Sequence, residues 1–165
     1  MTMLATLVRE APVSGGFPLP IAMRRALDLA AEAALSGEVP VGAVVTHGGE
    51  IVGEARNAMR GQLDPTAHAE MVALRHAATR LGQARLDGCT LWVTLEPCAM
   101  CAAAIGLARI ERLVFAAEDP KGGAVVNGPR LYAQPTCHHR PEVLGGIGDE
   151  EAAEQLRRFF AIRRA

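Results

Sequence analysis

Pro97-Cys98-Ala99-Met100-Cys101 puts two thiols three positions apart, directly behind a proline that suits the start of a helix. From a single helical turn both sulfurs can reach one metal ion. Upstream, His68-Ala69-Glu70 adds an imidazole and a carboxylate. His68, Cys98 and Cys101 then supply three ligands, and Glu70 supplies a carboxylate that need not be one. A zinc ion with three protein ligands keeps its fourth position for water, which is an arrangement for chemistry rather than for scaffolding.

On a straight helix, His68 and Glu70 point roughly 200° apart, so the metal is expected off the N-terminal end of the helix that carries them. Cys98 and Cys101 share one face of the first turn of the next helix. The positive end of a helix lowers thiol pKa and favours the thiolates that zinc requires. Two thiolates and a neutral imidazole cancel the ion's formal charge, making it a weaker Lewis acid than three neutral histidines would. A water bound there needs a base to lose its proton, and Glu70 is the candidate. The alternative is a closed, ribbon-like site whose fourth ligand is Cys89, Cys137, His138 or His139, which would leave Glu70 without a role. Cys89, ahead of Thr90-Leu91-Trp92-Val93, reads as packing. Cys137 beside His138-His139 reads as a structural or surface residue before it reads as a second metal site.

Around this core the chain divides into alternating elements. Residues 1–20 carry Pro12, Gly15, Gly16, Pro18 and Pro20 without periodicity and are expected to form a flexible arm before a domain spanning residues 21–165. Apolar residues at helical spacing predict a first helix from Ile21 to Leu35, ended by Ser36-Gly37. Val39 to Val45 and Ile51 to Ala55 read as a hairpin turning at His47-Gly48-Gly49. Gly42 inside its first strand marks either a pocket wall or a close packing contact. A second helix is predicted to start near Thr66 and end at Gly82. Leu91–Leu95 reads as a buried strand, Cys98–Leu107 as a third helix, and Arg112–Ala116 as another strand. The glycines after Asp119 are expected to form a long irregular segment that covers the site, followed by a short strand over Glu142–Leu144. A terminal helix with an Ala152, Ala153, Leu156, Phe159 and Phe160 face closes the chain. The alternation implies an α/β layer structure with a largely parallel sheet beyond the hairpin.

Composition bounds the function classes. With 165 residues, 50% apolar and 21% charged, the chain suits one globular domain and is neither disordered nor membrane-spanning. The formal net charge of -1 leaves no bulk footprint for nucleic acid, so any such binding must come from a local basic patch. The leading run Met3 to Val8 is too short for a signal sequence, and a cytoplasmic location with no membrane partner is expected.

The His68-Ala69-Glu70 and Pro97-Cys98-Ala99-Met100-Cys101 pair resembles the signature of the cytidine-deaminase-like zinc deaminases. The likeness extends to Val39–Val44, Asn57, Asp64–Glu70, Thr94–Cys98, Asp119–Ala124 and Phe159-Phe160 with Arg163-Arg164, segments that resemble the bacterial tRNA-specific adenosine deaminases. That resemblance implies a cytidine-deaminase-like three-layer α/β fold, with a mixed central sheet of about five strands and helices on both faces. It further implies one zinc ion per subunit, a homodimer, and a tRNA anticodon stem-loop as partner, whose wobble adenosine becomes inosine. By position, Asn57 resembles the residue that contacts the flipped nucleotide, Val41 and Leu95 resemble pocket walls, and the Ala69 backbone resembles the part that reads the base edge. Lys121, Phe159, Phe160, Arg163 and Arg164 are the candidates for RNA contacts, with docking of the terminal helix the competing role for at least one phenylalanine. Two rival readings share the metal: a deaminase of free bases or nucleosides such as cytosine, cytidine or guanine, and a non-catalytic zinc-stabilised module.

Overall fold

The computed structural model describes residues 9–10 and 18–164. In order, the elements are β1 (Arg9–Glu10), α1 (Ile21–Leu35), β2 (Gly42–His47), β3 (Glu50–Arg56), α2 (Ala69–Leu81), β4 (Cys89–Leu95), α3 (Ala99–Leu107), β5 (Arg112–Ala117), a 3-10 turn (Leu131–Ala133), β6 (Glu142–Gly145) and α4 (Asp149–Arg164). The leading run Met3 to Val8 and most of the expected arm lie outside the described residues. Within that arm, β1 pairs in parallel with β6, Arg9 opposite Leu144.

One mixed sheet runs β1-β6-β5-β4-β2-β3. The β2–β3 hairpin turns through Gly48 and Gly49, both at positive φ, a pair of conformations that matches the twist of the flanking strands. β2 also pairs antiparallel with β4, whereas β4, β5 and β6 are mutually parallel, as the alternation of elements implies. The β4–α3–β5 crossover is the unit that parallel neighbours require.

The period of two along each strand sorts the core into two layers. Val45, Leu91, Val93, Leu113 and Phe115 face α2 and α3, where they meet Ala73, Ala77 and Ile105. Val44, Val114 and Ala116 face α1 and α4 and meet Met23, Leu27 and Ala152. Helices on both faces of one mixed sheet make the expected three-layer α/β fold. Gly42 settles between its two expected roles as a packing glycine: a Cβ there would lie 2.0 Å from the Ala26 carbonyl oxygen, so only glycine lets α1 sit against β2.

The element bounds shift where local side chains compete with the backbone ladder. α2 begins at Ala69, not near Thr66, because the Asp64 carboxylate takes the Thr66 amide at 2.8 Å and its hydroxyl at 2.7 Å in a turn of its own. The first hairpin strand begins at Gly42 rather than Val39, since the Val41 amide bonds back to the Val39 carbonyl. Cys98 is the N-cap of α3 and not its first helical residue.

Candidate active site

His68 and Cys98 occupy equivalent places. Each is an N-cap with extended backbone, at φ -69, ψ 151 and φ -70, ψ 175, and each is followed by a helix whose first amides point toward the same space. Because His68 stands outside α2, the 200° separation from Glu70 no longer applies: the imidazole leaves from the cap while Glu70 leaves from the first turn. Cys101 sits one turn into α3 and is fully buried.

His68 Nδ1 lies 3.6 Å from Cys98 Sγ and 3.6 Å from Cys101 Sγ. A tetrahedral zinc with bonds of about 2.1 Å to nitrogen and 2.3 Å to sulfur sets that edge at about 3.6 Å, so the three donors fit one ion. All three ligand atoms lie within 4.8 Å of one another, and among the described residues no fourth histidine, cysteine or carboxylate joins them. Three of the four residues that could have closed the site are occupied elsewhere, and the fourth, His138, is exposed and outside the three-donor group. Cys89 is buried in the core, the Cys137 thiol donates to the His139 carbonyl, and His139 Nε2 meets the Ile110 carbonyl at 2.6 Å.

The electrostatics suit a cation. Hydrogen bonding with the Cys101 thiol, then with the His68 ring, pushes the Cys98 thiol down to about 4, so the cluster holds a ready thiolate. The Cys101 thiol is held up by that same bond to Cys98 and by burial. A divalent ion held by His68, Cys98 and Cys101 would reverse this second shift, since a coordinated sulfur is deprotonated. Glu70 is 4% exposed, and burial pushes its carboxyl up to about 7 against the pull of its own backbone amide and of the His68 ring. A carboxyl poised there, beside three metal ligands, can take and return a proton near neutral pH.

A family model for MafB19-like deaminases matches residues 20–143. Over 142 residues the chain is 51% identical to the tRNA-specific adenosine deaminase of Agrobacterium fabrum, covering 86% of this chain and 93% of that one. The chain belongs to the tRNA-specific adenosine deaminase family. A solved structure described as a study of A-to-I editing by tRNA:A34 deaminases superposes with a TM-score of 0.81 at 51% identity, covering 82% of this chain and 98% of that one. The guanine deaminase of Bacillus subtilis is more distant in shape, with a TM-score of 0.57 at 43% identity over 59% of this chain and 62% of its own.

In this family member the expected binding positions fall at different distances from free surface. Asn57 is buried, and its Oδ1 accepts the Ala69 amide at 2.9 Å, so the donor that Asn57 can offer a ligand is Nδ2. The same bond engages the Ala69 N–H. Val41 is buried and its carbonyl accepts the Asn57 amide, while Leu95 is half-buried at the end of β4. Lys121 is exposed, on a turn built on Asp119 Oδ1.

On α4 the candidates divide. Phe159 is buried against the core, and the Arg163 guanidinium stacks 4.2 Å from its ring and donates to the Gly37 carbonyl at 2.7 Å. Those two side chains tie α4 to the end of α1. Phe160, 42% exposed and edge-on to Phe159, and the exposed Arg164 remain on the outer surface. Arg157 and Arg158 are both paired with Glu154.

Two buried carboxylates escaped the reading of the sequence. Glu96, 2% exposed, accepts the amides of Asp119, Val125, Val126 and Asn127 and the Asn127 side-chain amide. It therefore holds the glycine-rich segment beside the Cys98 turn, and a Cβ on Gly123 would lie 2.4 Å from its Cδ. Glu38 does the same for the loop ahead of His68. A glutamate directly before Pro97, at the end of an apolar strand, was the available signal for the first.

Proposed function

We propose that this protein deaminates the wobble adenosine of a tRNA anticodon loop to inosine by zinc-dependent hydrolysis. The observation that carries the reading is the buried Glu70 carboxyl set beside three donors spaced for one tetrahedral ion, in a chain that matches tRNA-specific adenosine deaminases over nearly its whole fold. His68, Cys98 and Cys101 hold the zinc. Zinc bound there lowers the pKa of a water toward neutrality and so supplies the nucleophile.

The chain's own groups do the rest. Glu70 accepts one proton from the attacking water and delivers it to the purine ring nitrogen as oxygen adds at C6, then passes the second proton, from the added hydroxyl, to the amine, so that the C6–N bond breaks and ammonia leaves. Asn57 Nδ2 holds the extruded nucleotide, with its Oδ1 fixed by the Ala69 amide. Val41 and Leu95 wall the pocket and limit water. An anticodon loop suits this site because an unpaired base costs less to extrude than a paired one. Lys121, Phe160 and Arg164 are the outward groups placed to meet RNA, and Phe159 and Arg163 support them by docking α4.

The same reading takes residues 21–165 as one deaminase domain behind an arm over residues 1–20, working as a homodimer in the cytoplasm. No helix among the described residues is long and apolar enough to cross a membrane.

The test is to incubate zinc-loaded protein with an anticodon stem-loop carrying adenosine at the wobble position, alongside free adenosine, cytidine and guanine. Inosine in the loop alone is expected. The likeness to a guanine deaminase favours the second reading, a free-base enzyme, and turnover of guanine with an untouched loop would establish that instead.

A further inference from the structure

The segment between Asn57 and His68 carries an exposed side chain in a conformation that it rarely adopts. Leu63 is 91% exposed and has a φ of 52°, the left-handed region in which the leucine Cβ crowds its own backbone. An exposed leucine gains nothing from burial to offset that strain, so both features ask for a use outside the isolated chain.

The loop that presents Leu63 is closed and internally bonded. The Ala58 amide reaches the Ala67 carbonyl across its neck, the Gln62 amide returns to Ala58, and the Asp64 amide returns to Met59. From below, the buried Glu38 carboxylate takes the amides of Arg60 at 2.8 Å and Gly61 at 2.9 Å. Asp64 fixes the far limb through Thr66. Such a loop holds Leu63 outward before any partner arrives, which lowers the ordering cost of a contact.

We propose that the loop from Ala58 to Ala67 is a preformed RNA contact whose tip, Leu63, packs against nucleotides flanking the target base. This rests on the tRNA reading above. The neck adjoins His68, and five residues of chain keep Leu63 within about 17 Å of it, close enough for neighbours of an extruded base. Leucine is among the apolar side chains that proteins wedge between bases. Exposed Arg60 and Gln62 beside it offer a cation and an amide to the phosphates, a pairing that favours RNA over a second protein chain. The Glu38 charge is turned inward on two amides and does not face the backbone of the nucleic acid.

The test compares Leu63→Asn, which tolerates the left-handed conformation but removes the apolar tip, with Leu63→Met, which keeps an apolar tip. Kd for a fluorescent anticodon stem-loop is measured with the zinc-loaded full chain, together with thermal midpoint, oligomeric mass and editing. Leu63→Asn is expected to weaken binding about ten-fold with no loss of thermal stability, and Leu63→Met to bind within a factor of about three of the parent. Unchanged affinity in Leu63→Asn, while the parent edits the loop, overturns the contact and leaves the tRNA reading standing. A fall in oligomeric mass together with affinity overturns it in favour of a subunit contact. A parent that neither binds nor edits the stem-loop removes both.

Discussion

Asn57 Oδ1 accepts the Ala69 amide at 2.9 Å, joining the end of β3 to the first turn of α2 one residue beyond His68. Asn57 thus caps the helix from outside, a role its own N-cap, His68, does not perform with a side chain. This one bond places the imidazole, the Glu70 turn and the Asn57 amide in a common frame. Asn57→Asp keeps an oxygen for the Ala69 amide but exchanges the Nδ2 donor for a second acceptor oxygen and adds a negative charge at a buried position. Its thermal midpoint is expected below the parent's at neutral pH, with a raised KM for the anticodon stem-loop. Asn57→Ala loses both functions and about 1 kcal/mol of stability, measurable by denaturant unfolding.

Glu70→Gln preserves shape and removes the proton carrier. It is expected to retain one zinc per chain by metal analysis and to lose on the order of 10²–10⁴ in kcat. Loss of metal, or near-normal turnover, would remove Glu70 from the role of acid and base.

Chelation should lower stability as well as abolish turnover. Ion binding to the folded chain adds stability in proportion to the logarithm of its free concentration over Kd, so the thermal midpoint is expected to fall on metal removal and to recover with added zinc. Cys98→Ser should show the lower midpoint without chelator. A midpoint indifferent to zinc would contradict a bound ion.

Glu96 gives the fold an acid-sensitive latch. Burial alone would raise its carboxyl, but the amides of Asp119, Asn127 and Val126 and the Asn127 side chain outweigh that and hold it below 4.5. A carboxyl depressed in the folded state contributes its stability at pH above its unfolded value, and that contribution fades as pH falls through the folded one. Glu96→Gln is expected to cost roughly 3 kcal/mol at pH 7 and to flatten the stability-versus-pH curve below pH 4.5. A variant that kept the parent's acid limb would rule the latch out.

Gln155 offers a converse case. Its Nε2 donates to the Leu27 carbonyl, yet its buried Oε1 has no partner. Since an unpaired buried acceptor is costly, Gln155→Met is expected to be neutral or to add up to about 1 kcal/mol in chemical denaturation. A clear loss would mean that the Leu27 bond outweighs the orphaned oxygen.

Local chemistry alone was enough to single out the His68, Cys98 and Cys101 group with Glu70 beside it, and to read the order of helices and strands from Ile21 onward. Helical spacing placed α1 at its observed bounds, and β-branched runs placed the strands within a few residues. Those signals are carried by neighbours in the chain. The start of α2 was misplaced because Asp64 and Thr66 look like helix caps in sequence, and only the fold shows that they cap each other while Asn57 supplies the Ala69 amide from a different strand.

The sequence by itself determined an alternating α/β chain with one imidazole and two thiols at metal-binding spacing and a carboxylate close to them in the chain. Only the tertiary structure decided that His68 and Cys98 cap two helices aimed at one point, that Glu38 and Glu96 hold the flanking loops, and that Arg163 docks α4 onto α1 while Arg164 stays free of that dock. The reason is range. Periodicity and spacing report what residues a few positions apart can do, whereas a buried carboxylate's partners lie more than twenty residues away and are chosen by packing, not by pattern.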